Sequence, residues 1–240
     1  MERERMYNKE TLRKLMERAR ELKNQYLKKD IMDIAICISK GNRKIGRVMN
    51  VSLMPIMTCA NCNECKYFCY DVKACVQYPH NVLDARIRNT VLATQNMLEY
   101  FNRIRWAIKR RKKNKFFRWH VAGDILNKEY FAEMVAIAKE FPEFIFWTYT
   151  KNYSIVNSYC DEFGRDAIPE NLSIMFSEWD GLKMDNPYNF PVFACKLKAG
   201  NKNRTEESFQ SMHKCPGNCD ICKATKRGCP YGESTYADEH

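Results

Sequence analysis

The chain lacks an apolar run of membrane-spanning length. Hydrophobic residues make up 45% of its 240 positions, yet no window approaches the roughly 18 uncharged apolar residues that a spanning helix requires. The opening stretch, MERERMYNKETLRKLMERARELK, lacks the apolar centre of a secretory leader. It is expected to be neither signal peptide nor membrane anchor, and the cytoplasm is the expected compartment. Internal repeats and low-complexity tracts are missing too, and there is no obvious linker before about residue 198. A chain of this length can bury a full core and has no need of disulfides to fold. The segment from Arg103 to Arg118, RIRWAIKRRKKNKFFR, lacks acidic residues and carries nine basic ones, in a chain of net charge +11. Residues 103–118 are thus a candidate grip on nucleic-acid phosphates. They read equally well as a solvated helix end whose lysines and arginines complement the helix dipole.

What is plentiful is cysteine, twelve in all. In a reducing compartment this points to metal ligands before disulfides. Cys59, Cys62, Cys65 and Cys69 form one group, and Cys215, Cys219, Cys222 and Cys229 a second. Cys37, Cys75, Cys160 and Cys195 are scattered and read as small buried hydrophobes.

Along the chain, Leu12, Leu15, Ala19, Leu22 and Tyr26 recur at helical spacing, and Asn8 stands where an N-cap belongs. Ile34 to Ser39 and Val48 to Ile56 read as two strands, the second ending at the first cysteine group. A long helix is expected over roughly residues 80–113. The stretch from Phe117 to Ala122 alternates as a strand that puts His120 on one face with Arg118 and Ala122. A helix follows with Phe131, Met134, Val135 and Ala138 on its buried stripe. FIFWTYT, NLSIMFSE and PVFACKL read as three further strands, with a helix over Ser154 to Phe163. Regular alternation of strand and helix predicts a parallel sheet with right-handed connections. The expected organisation is an N-terminal helix over residues 1–31, a partial α/β barrel over 32–198 with a cysteine loop at 58–71, and a cysteine-rich extension over 199–240. That extension has too few large apolar side chains to make its own core, a deficit that a metal site would offset.

The first group has the spacing C-x2-C-x2-C-x3-C, that of a bacterial ferredoxin run without the final proline. Tight loops of two or three residues let consecutive thiolates wrap a cubane, whereas zinc usually takes two separated cysteine pairs. Spacing therefore favours a [4Fe–4S] cluster here. The second group reads C-x3-C-x2-C-x6-C followed by proline, open to a second iron–sulfur cluster or a zinc knuckle.

The segments NVSLMPIMTC with its three following cysteines, RWHVAGD, FWTYTKNY and NLSIMFSEWDG, in this order and before a cysteine-rich end, resemble the phage and prophage family called gene product 88, itself similar to radical S-adenosylmethionine (SAM) proteins. The resemblance covers roughly Gly46 to Gly232. It implies a partial (β/α) barrel, radical-SAM-like, with bound iron–sulfur and no defined substrate. Reductive cleavage of SAM, fed by an electron donor, would need one of the first four cysteines to be spare, and Cys59 is the one expected. The order x2 then x3 over Cys62, Cys65 and Cys69 reverses the radical SAM pattern. By the same resemblance, Gly123 and Asp124 stand where a SAM amino group is held, although Asp124 also fits a helix N-cap region. Lys151 is a candidate for a carboxylate and Glu178 for a ribose hydroxyl. His120 reads as a hydrogen-bonded interior residue before a catalyst. The alternative function is a metal-stabilised nucleic-acid-binding module without catalysis, using residues 103–118 and the lysine-rich tail, with Trp106, Phe116 and Phe117 for stacking.

Overall fold

A computed structural model describes residues 6–198 and 200–238. Its frame is a seven-stranded, all-parallel sheet with the order β1-β2-β3-β4-β5-β7-β6. The strands are β1 (Met49–Val51), β2 (Phe116–Trp119), β3 (Ile145–Thr150), β4 (Leu172–Ser177), β5 (Val192–Lys196), β6 (His213–Lys214) and β7 (Thr235–Asp238). The sheet is open, and its edge strands β1 and β6 do not meet to close a barrel.

Because β1 to β5 are laid down in chain order, successive right-handed crossovers advance in one direction and place their helices on one face. These helices are α2 (Tyr70–Gln77), α3 (Asp84–Gln95) and α4 (Met97–Lys109) between β1 and β2, then α5 (Lys128–Glu140) and α6 (Tyr153–Phe163). The N-terminal helix α1 (Lys9–Tyr26) packs against α3, with Leu12, Leu15 and Ala19 buried and Asn8 capping the backbone N–H of Thr11 at 2.8 Å. The main core joins these helices to Phe117, Trp119, Phe146, Leu172, Ile174 and Phe176, and it includes the predicted stripe Phe131, Met134, Val135 and Ala138. Alternation sends Val48, Phe116, Trp147, Tyr149, Met175 and Phe193 to the opposite face, where Cys229 of the tail packs on them. The tail also supplies α7 (Glu206–Gln210), α8 (Cys219–Thr225) and the last two strands. Its Phe209, Met212 and Tyr236 pack on Ala194 of β5.

Four expectations are corrected. The strand expected over Val48 to Ile56 is confined to Met49–Val51, and beyond it the Met54 N–H turns to Thr90 Oγ1 of α3 at 2.8 Å. Ile34 to Ser39 forms no strand beyond a single antiparallel bridge between Ser39 and Asn50. The buried Asn89 of α3 takes both backbone groups of Cys37, accepting its N–H and donating to its carbonyl at 2.8 Å each, so a side chain does the work of a neighbouring strand. The single helix over residues 80–113 is a π-turn and two α-helices, because Asn96 leaves helical geometry at φ −148° and caps α4 through Glu99 N–H. His120 does not share the face of Arg118. A left-handed φ of +50° breaks the alternation and turns the ring toward Tyr130 of α5. Among the described residues, no helix is long and apolar enough to cross a membrane.

Candidate functional site

Parallel strands share a C-terminal edge, and the loops leaving that edge come together in space. The first cysteine group lies in the loop after β1, Gly123 and Asp124 follow β2, Lys151 follows β3 and Glu178 follows β4. These loops therefore leave the same edge of the sheet.

Gly123 is required by the packing. It adopts φ +81°, and an added Cβ would lie 2.7 Å from both Leu53 Cβ and Thr58 Oγ1. The β2–α5 turn therefore presses directly on the root of the cysteine loop. Asp124 is buried and fully engaged: Oδ1 accepts from Thr150 Oγ1 at 2.6 Å and Ile125 N–H at 2.8 Å, and Oδ2 accepts from Lys151 N–H at 3.0 Å. Burial pushes its carboxyl pKa up, while these hydrogen bonds and the Lys151 charge pull it down. Asp124 acts as a latch between the loops after β2 and β3. Asn61 in the cysteine loop donates to the Lys151 carbonyl at 2.5 Å, tying that loop to the same place.

Cys62 and Cys65 thiols touch at 3.6 Å. Contact with Cys62 draws the Cys65 thiol down to about 7 and Lys151 acts in the same direction, against burial. Cys69 stands at the N-cap of α2, and burial pushes its thiol up to about 11, against the pull of the Val72 and Asp71 backbone N–H groups. Lys151 Nζ donates to Ser177 Oγ at 3.2 Å and lies 5.8 Å from the Trp179 ring, which is 5.9 Å from that of Phe68. Glu178 has both oxygens on Arg204 Nε, at 2.9 and 3.0 Å. Beside it opens a cleft of ≈ 420 Å³ lined by Gly181, Leu182, Lys183, Met184 and Asn203. Sequence reasoning missed Arg204 and Trp179. Arg204 stands 26 residues away in the tail, and no local pattern links it to Glu178.

His120 is a buried structural residue, with Nε2 2.9 Å from Tyr130 Oη and Nδ1 3.4 Å from Thr148 Oγ1. Burial lowers its pKa to about 3, so the ring is neutral.

The second cysteine group lies against the sheet face opposite the helices. Cys219 N–H donates to the Lys44 carbonyl and the Cys229 carbonyl accepts from Ser173 Oγ at 2.8 Å, which anchors the tail at two points. Burial pushes the Cys229 thiol up, while the nearby Thr235 and Tyr149 hydroxyls pull it down. Cys222 Sγ lies 4.0 Å from His213 Nε2. Arg118 stacks on Tyr149 at 4.6 Å, with its Nε buried and without a hydrogen-bond partner among the described residues. The scattered cysteines divide, Cys75 and Cys160 being buried while Cys37 and Cys195 are partly exposed. Among the described residues, no group of three or more His, Cys, Asp or Glu side chains is drawn together tightly enough to hold an ion as it stands.

Much of the basic run is engaged within the chain. Arg103 pairs with Glu99, Arg105 with Glu133 and Glu140, Lys109 with Glu140 and Lys115 with Glu143. Trp106 stays 61% exposed, with Arg110 stacked on it at 4.4 Å.

No curated protein and no solved structure gives a significant match to the chain. The family model described as gene product 88 matches residues 11–185, from α1 through the cysteine loop to the turn after β4, and the chain belongs to that family.

Proposed function

We propose that the chain is an iron–sulfur protein, its cluster held by Cys59, Cys62, Cys65 and Cys69 at the C-terminal edge of a partial barrel. The observation that carries this reading is the Cys62–Cys65 contact at 3.6 Å, in a loop pinned by Asn61 and facing Lys151 where consecutive parallel strands end. The donor set fits the group. A 3.6 Å thiol pair alone would serve a zinc ion as well, but residues 58–71 offer four thiols and no histidine, in ferredoxin-like spacing. When bound, such a cluster supplies one-electron transfer at a potential set by charge, hydrogen bonds to sulfur and solvent access.

The chain's own residues bear chiefly on the charge. Lys151 places a positive charge beside Cys65, which favours the reduced state. Cys69 stands at the N-cap of α2, where the positive end of the helix dipole acts on its sulfur with the same sign. Phe68 and Trp179, with ring centroids 5.9 Å apart, bring apolar surface next to Lys151.

The residues carried over for SAM fit less well. Asp124 already accepts three hydrogen bonds from the protein and Glu178 is paired with Arg204, so a SAM group there would have to share these carboxylates with buried protein donors. Only Lys151, beside the cysteines and with a single hydroxyl as hydrogen-bond partner, is placed to meet a carboxylate. The reading is tested by purifying the full chain without oxygen. Brown protein with thiolate-to-iron charge-transfer absorption, iron and acid-labile sulfide supports it, and colourless protein holding only zinc refutes it. Adding SAM to the reduced protein and recording EPR asks separately whether one iron is open. A second reading, nucleic-acid binding, is favoured by the exposed Trp106–Arg110 stack alone. It predicts oligonucleotide binding that falls steeply with salt.

A further inference from the structure

We infer that His213 is a metal ligand, and that the second cysteine group holds a single zinc-type ion through His213, Cys222 and two of Cys215, Cys219 and Cys229, rather than a second cluster. This inference is independent of the cluster proposed in the first loop.

Four observations converge on it. His213 Nε2 lies 4.0 Å from Cys222 Sγ. Metal bonds of about 2.3 Å to sulfur and 2.0–2.1 Å to nitrogen at tetrahedral angles put such ligand atoms roughly 3.6 Å apart, so a small closing movement seats both on one ion. The space between them is kept clear by Gly228 at φ +79°, where an added Cβ would stand 3.1 Å from His213 Cδ2 and 3.2 Å from Cys222 Sγ. The far ring nitrogen faces a carboxylate: His213 Nδ1 is 3.9 Å from Glu233 Oε2, beyond hydrogen-bond length but closed by the same small movement, and that carboxylate is fixed by Gly228 N–H at 2.8 Å and Arg227 Nε at 3.0 Å. A carboxylate behind the imidazole sets its tautomer and raises its basicity toward the ion. Last, a divalent ion on three thiolates and a neutral imidazole carries one net negative charge. The Arg118 guanidinium lies within electrostatic reach of Cys219 and Cys229, and its buried Nε has no other partner among the described residues. One arginine neutralises a site with three thiolates, whereas four thiolates on the same ion would leave a charge uncompensated in a buried place.

The tail gains a fold from such an ion that its sparse apolar residues would not supply. The test uses the full chain loaded at this site with zinc or cobalt(II). X-ray absorption is expected to show three sulfur neighbours and one nitrogen, and cobalt ligand-field bands to have the pattern of mixed sulfur and nitrogen ligation. His213→Ala is expected to lose the ion to a competing chelator at least about 10-fold more readily, and Glu233→Gln, which leaves all ligands in place, to weaken binding about 10–100-fold. His213→Cys should keep the ion and convert it to all-sulfur ligation. All-sulfur ligation in the unaltered chain would overturn the assignment. So would unchanged affinity in both His213→Ala and Glu233→Gln, or iron and sulfide at this group that survive removal of the first four cysteines.

Discussion

His120 shows what one residue's backbone does to an otherwise readable pattern. Its left-handed φ is a conformation that histidine and asparagine tolerate better than most side chains. Once turned, the ring is enclosed and neutral, with a folded pKa of about 3 against an ordinary 6.5. The unfolded chain therefore binds the extra proton between these values. The contribution to stability is complete above about pH 6.5 and is lost as pH falls toward about 3, at up to about 1.4 kcal/mol per pH unit. Denaturant titrations across that window should show a pH slope in the parent chain that is shallower by about one proton in His120→Asn. Equal slopes would mean that the ring is charged in the fold. Gly123 carries a second prediction at this scale. Gly123→Ala meets both a positive φ and two contacts at 2.7 Å, so it should cost about 2 kcal/mol or more in thermal melts and loosen the cysteine loop that Thr58 begins. That Cys59, Gly123, Lys151 and Glu178 follow successive strands was legible in the sequence, because strand ends are local signals. The state of Asp124 was not, since its partners Thr150 and Lys151 lie 26 and 27 residues away.

At the scale of elements, the misread segments share a cause: a polar side chain replaces a regular backbone partner. Asn89 satisfies Cys37, which removes the need for a strand, and Asn96 cuts one predicted helix into two. Periodicity reports which face is apolar and says nothing about which amide bonds a distant carbonyl. The strands β3, β4 and β5 were readable as apolar runs bounded by polar turns, whereas α2, α7, α8, β6 and β7 were not foreseen. The tail's attachment was not. Glu178 after β4 and Arg204 before α7 form an ion pair with side chains only 8% and 18% exposed. Removing one partner strands the other charge in a partly buried place. Arg204→Ala should therefore destabilise the chain by about 2 kcal/mol, somewhat below the roughly 3–5 kcal/mol of a fully buried pair. Pairing it with Glu178→Gln should recover part of the loss, and chemical denaturation of the single and double variants reads the difference. Additive losses would mean that the pair contributes no coupling.

For the whole molecule, an open parallel sheet in mainly sequential order leaves one face to helices and the other to the cysteine-rich tail, with loops converging on one edge. Family membership runs through α1, the first cysteine loop and the strands up to β4, so the proposed cluster site belongs to the matched part, whereas the second cysteine group lies beyond residue 185. The two sites are expected to behave differently when metal is removed. Chelation of a zinc-type ion should lower the melting temperature through the tail, and oxidative loss of a cluster should bleach the protein. The basic run gives its own whole-molecule expectation. With Arg103, Arg105, Lys109 and Lys115 already paired to glutamates, any oligonucleotide affinity should show a salt slope well short of that for nine phosphates. The central claim is that the first loop holds iron and sulfide. Its most direct test is iron and acid-labile sulfide per chain in anaerobically purified parent protein, Cys62→Ser/Cys65→Ser and His213→Ala. The account predicts both elements in the parent and in His213→Ala, and the loss of both in the double cysteine variant. Iron and sulfide that persist without Cys62 and Cys65, or a parent chain that never contains them, would contradict it.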